Sequence, residues 1–136
     1  TIFHDATGTN QKNITTTTVN VSDGEWHHVV GTWDGTTNTN SMKVYFDGSE
    51  VAQATPSSTG INTEAVGPWI GNSSDLSSGN NQFNGDIDEV AVWSRALEAT
   101  DVQTIYNATN DNPGKCANLW SGGLGTGLVY WNRMGD

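Results

Sequence analysis

Gly24-Glu25-Trp26-His27-His28-Val29-Val30-Gly31-Thr32-Trp33-Asp34-Gly35 carries bulky groups on both parities between two turn signals, Ser22-Asp23-Gly24 before it and Asp34-Gly35 at its end. Successive strand residues face opposite sides, so bulk on both parities predicts a central strand covered on both faces. Toward the C-terminus, the polar run 36–41 predicts a hairpin loop. Beyond it Met42, Val44 and Phe46 point one way and Lys43, Tyr45 and Asp47 the other, which predicts a half-buried strand. Asp47-Gly48 is a tight-turn dipeptide, and residues 50–54 would return antiparallel as its hairpin partner. Toward the N-terminus, residues 13–21 form a β-branched run with weak sidedness, which predicts an exposed or edge strand.

Farther along, Val66-Gly67-Pro68-Trp69-Ile70-Gly71 contains a proline that cannot donate to a ladder and so favours an edge or a strand start. Residues 72–81 are a Ser-, Gly- and Asn-rich loop, and 83–93 are the longest strand candidate. Val102, Ile105 and Tyr106 stand at helical spacing and predict one short helix. From 107 to 127 the composition turns to Asn, Gly and Pro, reading as a linker before a last apolar segment, Leu128-Val129-Tyr130-Trp131.

Composition agrees with an all-β domain. The chain has 136 residues, 34% of them apolar, with six Trp, enough for one packed core. Charged residues are only 15%, and Gly, Ser, Thr and Asn dominate the polar part, as suits short strands joined by turns. A net charge of −10 with five scattered basic residues excludes a phosphate-binding patch, and with it nucleic acid as a partner. Apolar runs fall far short of the roughly 20 residues that a spanning helix needs, so no membrane insertion is expected. Cys116 stands alone, so no intrachain disulfide forms, and it is expected as a small half-buried side chain. The start at Thr1 reads as an excerpt of a larger chain.

Four blocks together resemble a known family: residues 24–35 above, Val44-Tyr45-Phe46-Asp47-Gly48, Trp69-Ile70-Gly71, and Phe83-Asn84-Gly85-Asp86-Ile87-Asp88-Glu89-Val90-Ala91-Val92-Trp93-Ser94-Arg95-Ala96-Leu97. Their order and spacing resemble the laminin-G-like jelly-roll domain of the concanavalin A-like lectin and glucanase fold, found in bacterial surface proteins and tailed-phage virion proteins. The resemblance implies an antiparallel jelly-roll β-sandwich with one short helix, lacking N-terminal strands that a complete domain would have. It divides the chain into a partial sandwich over 1–108 and a linker with a lead-in strand toward a further domain over 109–136. It implies an extracellular, cell-surface or virion-surface setting. The expected function is non-catalytic binding or adhesion to a glycan or to neighbouring protein subunits. The rival is a structural assembly element that forms a larger oligomer in a virion or surface fibre. One departure lies at Glu98, where the family places a Ser or Thr cap, so a weaker helix start is expected.

Asp86, Asp88 and Glu89 are the dense carboxylate cluster, and on a strand Asp86 and Asp88 would share one face with Glu89 on the other. Glycoside hydrolases of the resembled fold carry Glu-x-Asp-x-x-Glu, whereas here the first position is Asp86 and the third is Ala91, which removes an essential acid. The cluster is expected instead to cap turns and to pair with Arg95 or backbone N–H groups. Relatives of the fold hold calcium at the sandwich rim. Asp86 and Asp88 are accordingly the candidate Ca²⁺ ligands, the one cofactor considered, with Asp34, Asp47 and Asp75 as further candidates from separate loops. His27 and His28, adjacent on a strand, face opposite sides and are expected as one packed and one exposed. Trp26, Trp33 and Trp93 are expected in the core, and Trp120 and Trp131 exposed or facing a neighbour. Trp69, with Asn72, Asn80 and Asn81 of the following loop, is the candidate glycan platform, since flat aromatic faces beside polar side chains suit sugars.

Overall fold

The computed structural model describes residues 14, 16–59, 70–71, 82–110 and 116–134. Among the described residues there are two antiparallel sheets and one α-helix. In the first sheet β1 (Val29–Trp33), β2 (Met42–Phe46) and β3 (Ser49–Ala54) lie side by side in that order. In the second, β4 (Val90–Trp93) pairs with β5 (Leu128–Asn132). Helix α1 (Ala99–Asn110) follows β4, and a 3-10 turn over Gly122–Gly125 precedes β5. This antiparallel architecture with one helix agrees with the expected jelly-roll sandwich.

The central strand of the first sheet is β2, and β1 lies at its edge among the described strands. The alternation along β2 correctly separates its faces, yet both are buried. Met42 and Val44 pack with Ile14 on one side, against half-buried Trp33, Val51, Ala52 and Ala54. Tyr45 joins Leu97, Val102, Ile105, Ala117, Leu119 and Leu124 on the other. Lys43 and Asp47 give that second face its polar look in sequence, but the large ring between them lies within the core. Trp26 precedes β1 and stands 69% exposed, correcting its expected core position, whereas Trp33 and Trp93 are half-buried as part of the core. The expected strand over 13–21 does not appear in residues 16–21. There Thr16 Oγ1 accepts the N–H of Thr18 at 3.3 Å, a local turn that competes with extended pairing.

Asp47 and Gly48 connect β2 to β3 with φ of 48° and 77°, the two left-handed positions of a type I′ hairpin turn. Asp47 also fastens the turn to the start of β1. Its N–H donates to the His28 carbonyl at 2.9 Å, and its Oδ1 accepts the His28 N–H at 2.9 Å.

Helix α1 presents Val102 and Ile105 to the core, as their spacing predicts. Its start is stronger than Glu98 alone implies. Asp101, three residues into the helix, accepts the Glu98 N–H at 3.1 Å and pairs with Arg95 at 2.7 Å, supplying the reciprocal half of a capping box. Arg95 further donates to the carbonyls of Thr126 at 2.8 Å and Gly123 at 3.2 Å.

Those bonds reach into the segment expected as a linker. Ala117, Leu119 and Leu124 belong to the core, the Trp93 indole donates to the Leu124 carbonyl at 2.7 Å, and β5 pairs with β4. Residues of the expected linker and lead-in strand thus pack against the elements that precede residue 108. The Gly-rich composition reflects tight turning, with Gly122 and Gly127 at φ of 59° and 75°.

Gly48→Ala is expected to cost about 1–2 kcal/mol from its left-handed backbone alone. A Cβ there would also stand 2.9 Å from Tyr106 Cδ1, adding to the loss. Gly35→Ala, at φ 81° with nothing within 4 Å of its Cβ, should show the backbone cost without the clash. Urea unfolding of the two variants measures the difference.

Candidate functional site

The carboxylate cluster folds differently from a continuous strand. Glu89 has φ of 55°, so the strand begins only at Val90 and the alternation expected from residue 83 is interrupted. Asp88 Oδ1 accepts the N–H of Glu89 at 2.7 Å and that of Met134 at 2.9 Å, the expected capping role. Arg95 pairs with Asp101 rather than with this cluster, and Asp86 is exposed.

Glu89 is the most heavily engaged of the three. Its Oε2 accepts the indole N–H of Trp131 at 2.7 Å. Its Oε1 accepts the Cys116 thiol at 2.7 Å and the Arg133 Nε–H at 3.3 Å. The Arg133 guanidinium also lies 5.4 Å from the Trp131 ring centroid. Burial, then the Glu89 hydrogen bond, push the Cys116 thiol above its ordinary pKa, which keeps its proton available for donation. Trp131, expected exposed or facing a neighbour, is half-buried against the core, while Trp120 is 65% exposed. The register Val90↔Asn132 places Glu89 beside Arg133 at the strand end, a charge pair visible in sequence only after β5 is paired with β4.

His27 and His28 are both half-buried, rather than one packed and one exposed. His27 Nδ1 lies 2.9 Å from Asp47 Oδ2 and its Nε2 3.0 Å from Asp23 Oδ1, a geometry that suits the doubly donating imidazolium. The hydrogen bond to Asp47, then that to Asp23, raise its pKa above 6.5. The ring also lies 4.6 Å from that of Phe46, centroid to centroid. His28 faces the helix, stacked 6.2 Å from Tyr106, with a buried Nδ1 that makes no hydrogen bond. Burial lowers its pKa.

Trp69, Asn72, Asn80 and Asn81 lie outside the described residues, as does Asp75. Calcium takes six to eight oxygens, and Asp86 and Asp88 supply two carboxylates, one of whose oxygens already receives two N–H groups. Among the described residues no group of three His, Cys, Asp or Glu side chains is placed to hold a metal ion. Nor is any helix among them long and apolar enough to cross a membrane.

A polar depression of about 280 Å³ opens elsewhere, between the β1–β2 loop and the link into α1. Thr32, Lys43 and Tyr45 of the first sheet line it, together with residues 38–41 on the loop side and 96–99 on the helix side. Sequence reading passed over this site because residues 36–41 look like an ordinary polar loop.

A laminin-G-like family model, described as the concanavalin A-like lectin/glucanases superfamily, matches residues 1–103. The chain belongs to this superfamily. Among curated proteins, this superfamily member is similar to neuronal pentraxin-2 of Homo sapiens and of Mus musculus, each 29% identical over 108 residues. The alignment takes in 69% of this chain but 22% and 23% of those relatives, so the chain spans under a quarter of their length. No solved structure gives a significant match.

Glu89→Ala is expected to destabilise the fold by about 1–3 kcal/mol by stranding the Trp131 and Cys116 donors, with a change in Trp131 fluorescence reporting the site. The histidines predict opposite pH effects. Stability from His27 is full below pH 6.5 and is lost as pH rises through its raised folded pKa. For His28 stability is full above 6.5 and is lost as pH falls toward its lowered folded pKa. In urea unfolding across about pH 5 to 8, His27→Gln should lose most at the acid end, and His28→Phe should flatten the acid-side decline.

Proposed function

We propose that this chain is a non-catalytic binding module, presented outside the cytoplasm as part of a larger protein, that recognises a glycan or a protein partner. The observation that carries it is what stands at the positions where the resembled glucanases keep their acids. Asp88 caps backbone N–H groups and the third position is Ala91, packed against the core, while the neighbouring Glu89, outside that pattern, holds three side chains. An acid and a base facing one another across a cleft are needed for glycoside hydrolysis. The superfamily takes in both lectins and glucanases, and within it the similarity to pentraxins supports binding over chemistry by analogy of fold.

A second reading, assembly into a larger oligomer, is favoured by the outer face of the β4–β5 sheet. Val92 and Tyr130 are register partners there, each about half exposed, and Val129, the extra residue at a bulge beside them, is 66% exposed. Under this reading the mass measured by light scattering rises with concentration, and Tyr130→Asp abolishes the rise.

Reducing-sugar release from polysaccharides tests the leading reading. The account predicts no release above the level of the Asp88→Ala variant. Release that Asp86→Ala or Asp88→Ala abolishes would show an enzyme and overturn the proposal.

A further inference from the structure

We infer that the depression between the β1–β2 loop and residues 96–99 receives one basic side chain, lysine or arginine, of a protein partner. The inference rests on the binding-module reading and assigns it a site and a partner chemistry.

The charges in the wall call for an outside cation. Asp34 stands on the loop side and Glu98 on the helix side. The Thr36 hydroxyl at 2.7 Å and the Thr36 N–H at 2.8 Å donate to Asp34 Oδ1 and hold its carboxyl below the ordinary carboxylate range, so it is ionised. Lys43, also in the wall, is paired with Glu50 at 3.1 Å, while Arg95 is paired with Asp101 at 2.7 Å and Arg133 with Glu89 at 3.3 Å. Among the described residues, Asp34 and Glu98 are thus left without an ion-pair partner. A chain of net charge −10 also draws cationic partners from a distance.

A second, independent feature lies beneath these carboxylates. Tyr45 is 2% exposed and Thr32 6%, yet both line the depression. Neither hydroxyl has a hydrogen-bond partner among the described residues. Burial raises the Tyr45 pKa, and the charges of Lys43, Glu50 and Glu98 also reach its hydroxyl, which sets that group toward the depression while the ring stays in the core. Buried hydroxyls are ordinarily satisfied, so these two oxygens stand ready to accept from an incoming N–H. Ala96, Leu97 and Ala99 make the remaining wall apolar, which suits the methylene stem of a basic side chain. An anion would meet two carboxylates. A divalent cation finds no group of three ligating side chains among the described residues. At about 280 Å³ the space lies at the small end of ligand sites, which begin at roughly 300 Å³, and fits one side chain.

The loop wall is held in shape before a partner arrives. The Thr36 carbonyl receives the Trp33 indole at 2.8 Å and the Ser41 hydroxyl at 3.0 Å, and the Asn40 N–H donates to Thr55 Oγ1 at 3.0 Å. This reduces the ordering cost of binding.

The test is an amide chemical-shift titration of the 136-residue chain with capped tripeptides that carry arginine, lysine or norleucine between two glycines. Shifts at 38–41 and 96–99 are expected with a basic peptide and not with norleucine, and the affinity should fall as salt rises. Glu98→Gln and Asp34→Asn should each weaken binding about two- to fivefold, as for a partly exposed ion pair. Tyr45→Phe should weaken it by a similar factor without lowering the urea midpoint, because its hydroxyl has no partner to lose within the described fold. Equal shifts with norleucine, or an affinity that Glu98→Gln, Asp34→Asn and Tyr45→Phe all leave unchanged, would overturn the inference. So would the absence of shifts with both basic peptides, and the binding-module reading would then stand or fall on the hydrolysis assay alone.

Discussion

Glu89 ties β4 to β5 at one end of the second sheet. Its carboxylate gathers an indole, a thiol and a guanidinium from residues 116–133, and its left-handed backbone sets where β4 begins. An isolated two-stranded hairpin is marginal in water, so β4 and β5 need support from elsewhere. Here the support comes from the core beneath Ala91, Trp93, Leu128 and Trp131, and from polar ties at either end. Glu89 closes one end, while Arg95 closes the other by bonding the tail carbonyls and the first turn of α1 together. A catalytic acid must be free to exchange a proton with substrate. A carboxylate committed to three donors of its own chain serves as a structural acceptor.

The first sheet solves a different problem. Its central strand is buried on both sides, so every neighbouring element is constrained by β2. The I′ turn brings β3 back against it, with Gly48 so close to Tyr106 that a side chain would collide with the ring. Asp47 draws His27 and His28 into the same junction, one histidine between carboxylates and the other against the helix. At the far end of the sheet, where the β1–β2 loop meets the link into α1, packing gives way to the polar depression. A rigid sheet edge carrying a pinned polar loop is a common way to build recognition on an unreactive scaffold.

Local patterns in the sequence were enough to place the 42–54 hairpin, its Asp47-Gly48 turn and the face of α1 that carries Val102 and Ile105. They misjudged depth wherever burial came from distant segments. Tyr45 looks solvent-facing beside Lys43 and Asp47, but α1 and residues 117–124 cover it. The tail looks like a linker because glycines dominate it, although two of them make turns at positive φ and the segment between supplies Leu124 to the core. The role of Glu89 depends on a partner more than 40 residues away, which no period-two pattern displays. The pocket was illegible for a similar reason: loop and helix link are far apart in sequence and meet only in the fold. The expected Trp69 platform falls outside the described residues.

The central claim is that residues 116–134 pack with the rest of the described fold and commit Asp88 and Glu89 to structure. Native-state amide hydrogen exchange tests it most directly, because protection reports which segments open together. The account predicts that amides paired between Val90–Trp93 and Leu128–Asn132 exchange at one slow rate, with the Trp131 indole N–H protected alongside them. Free exchange over Leu128–Asn132 while Met42–Phe46 stays protected would contradict it.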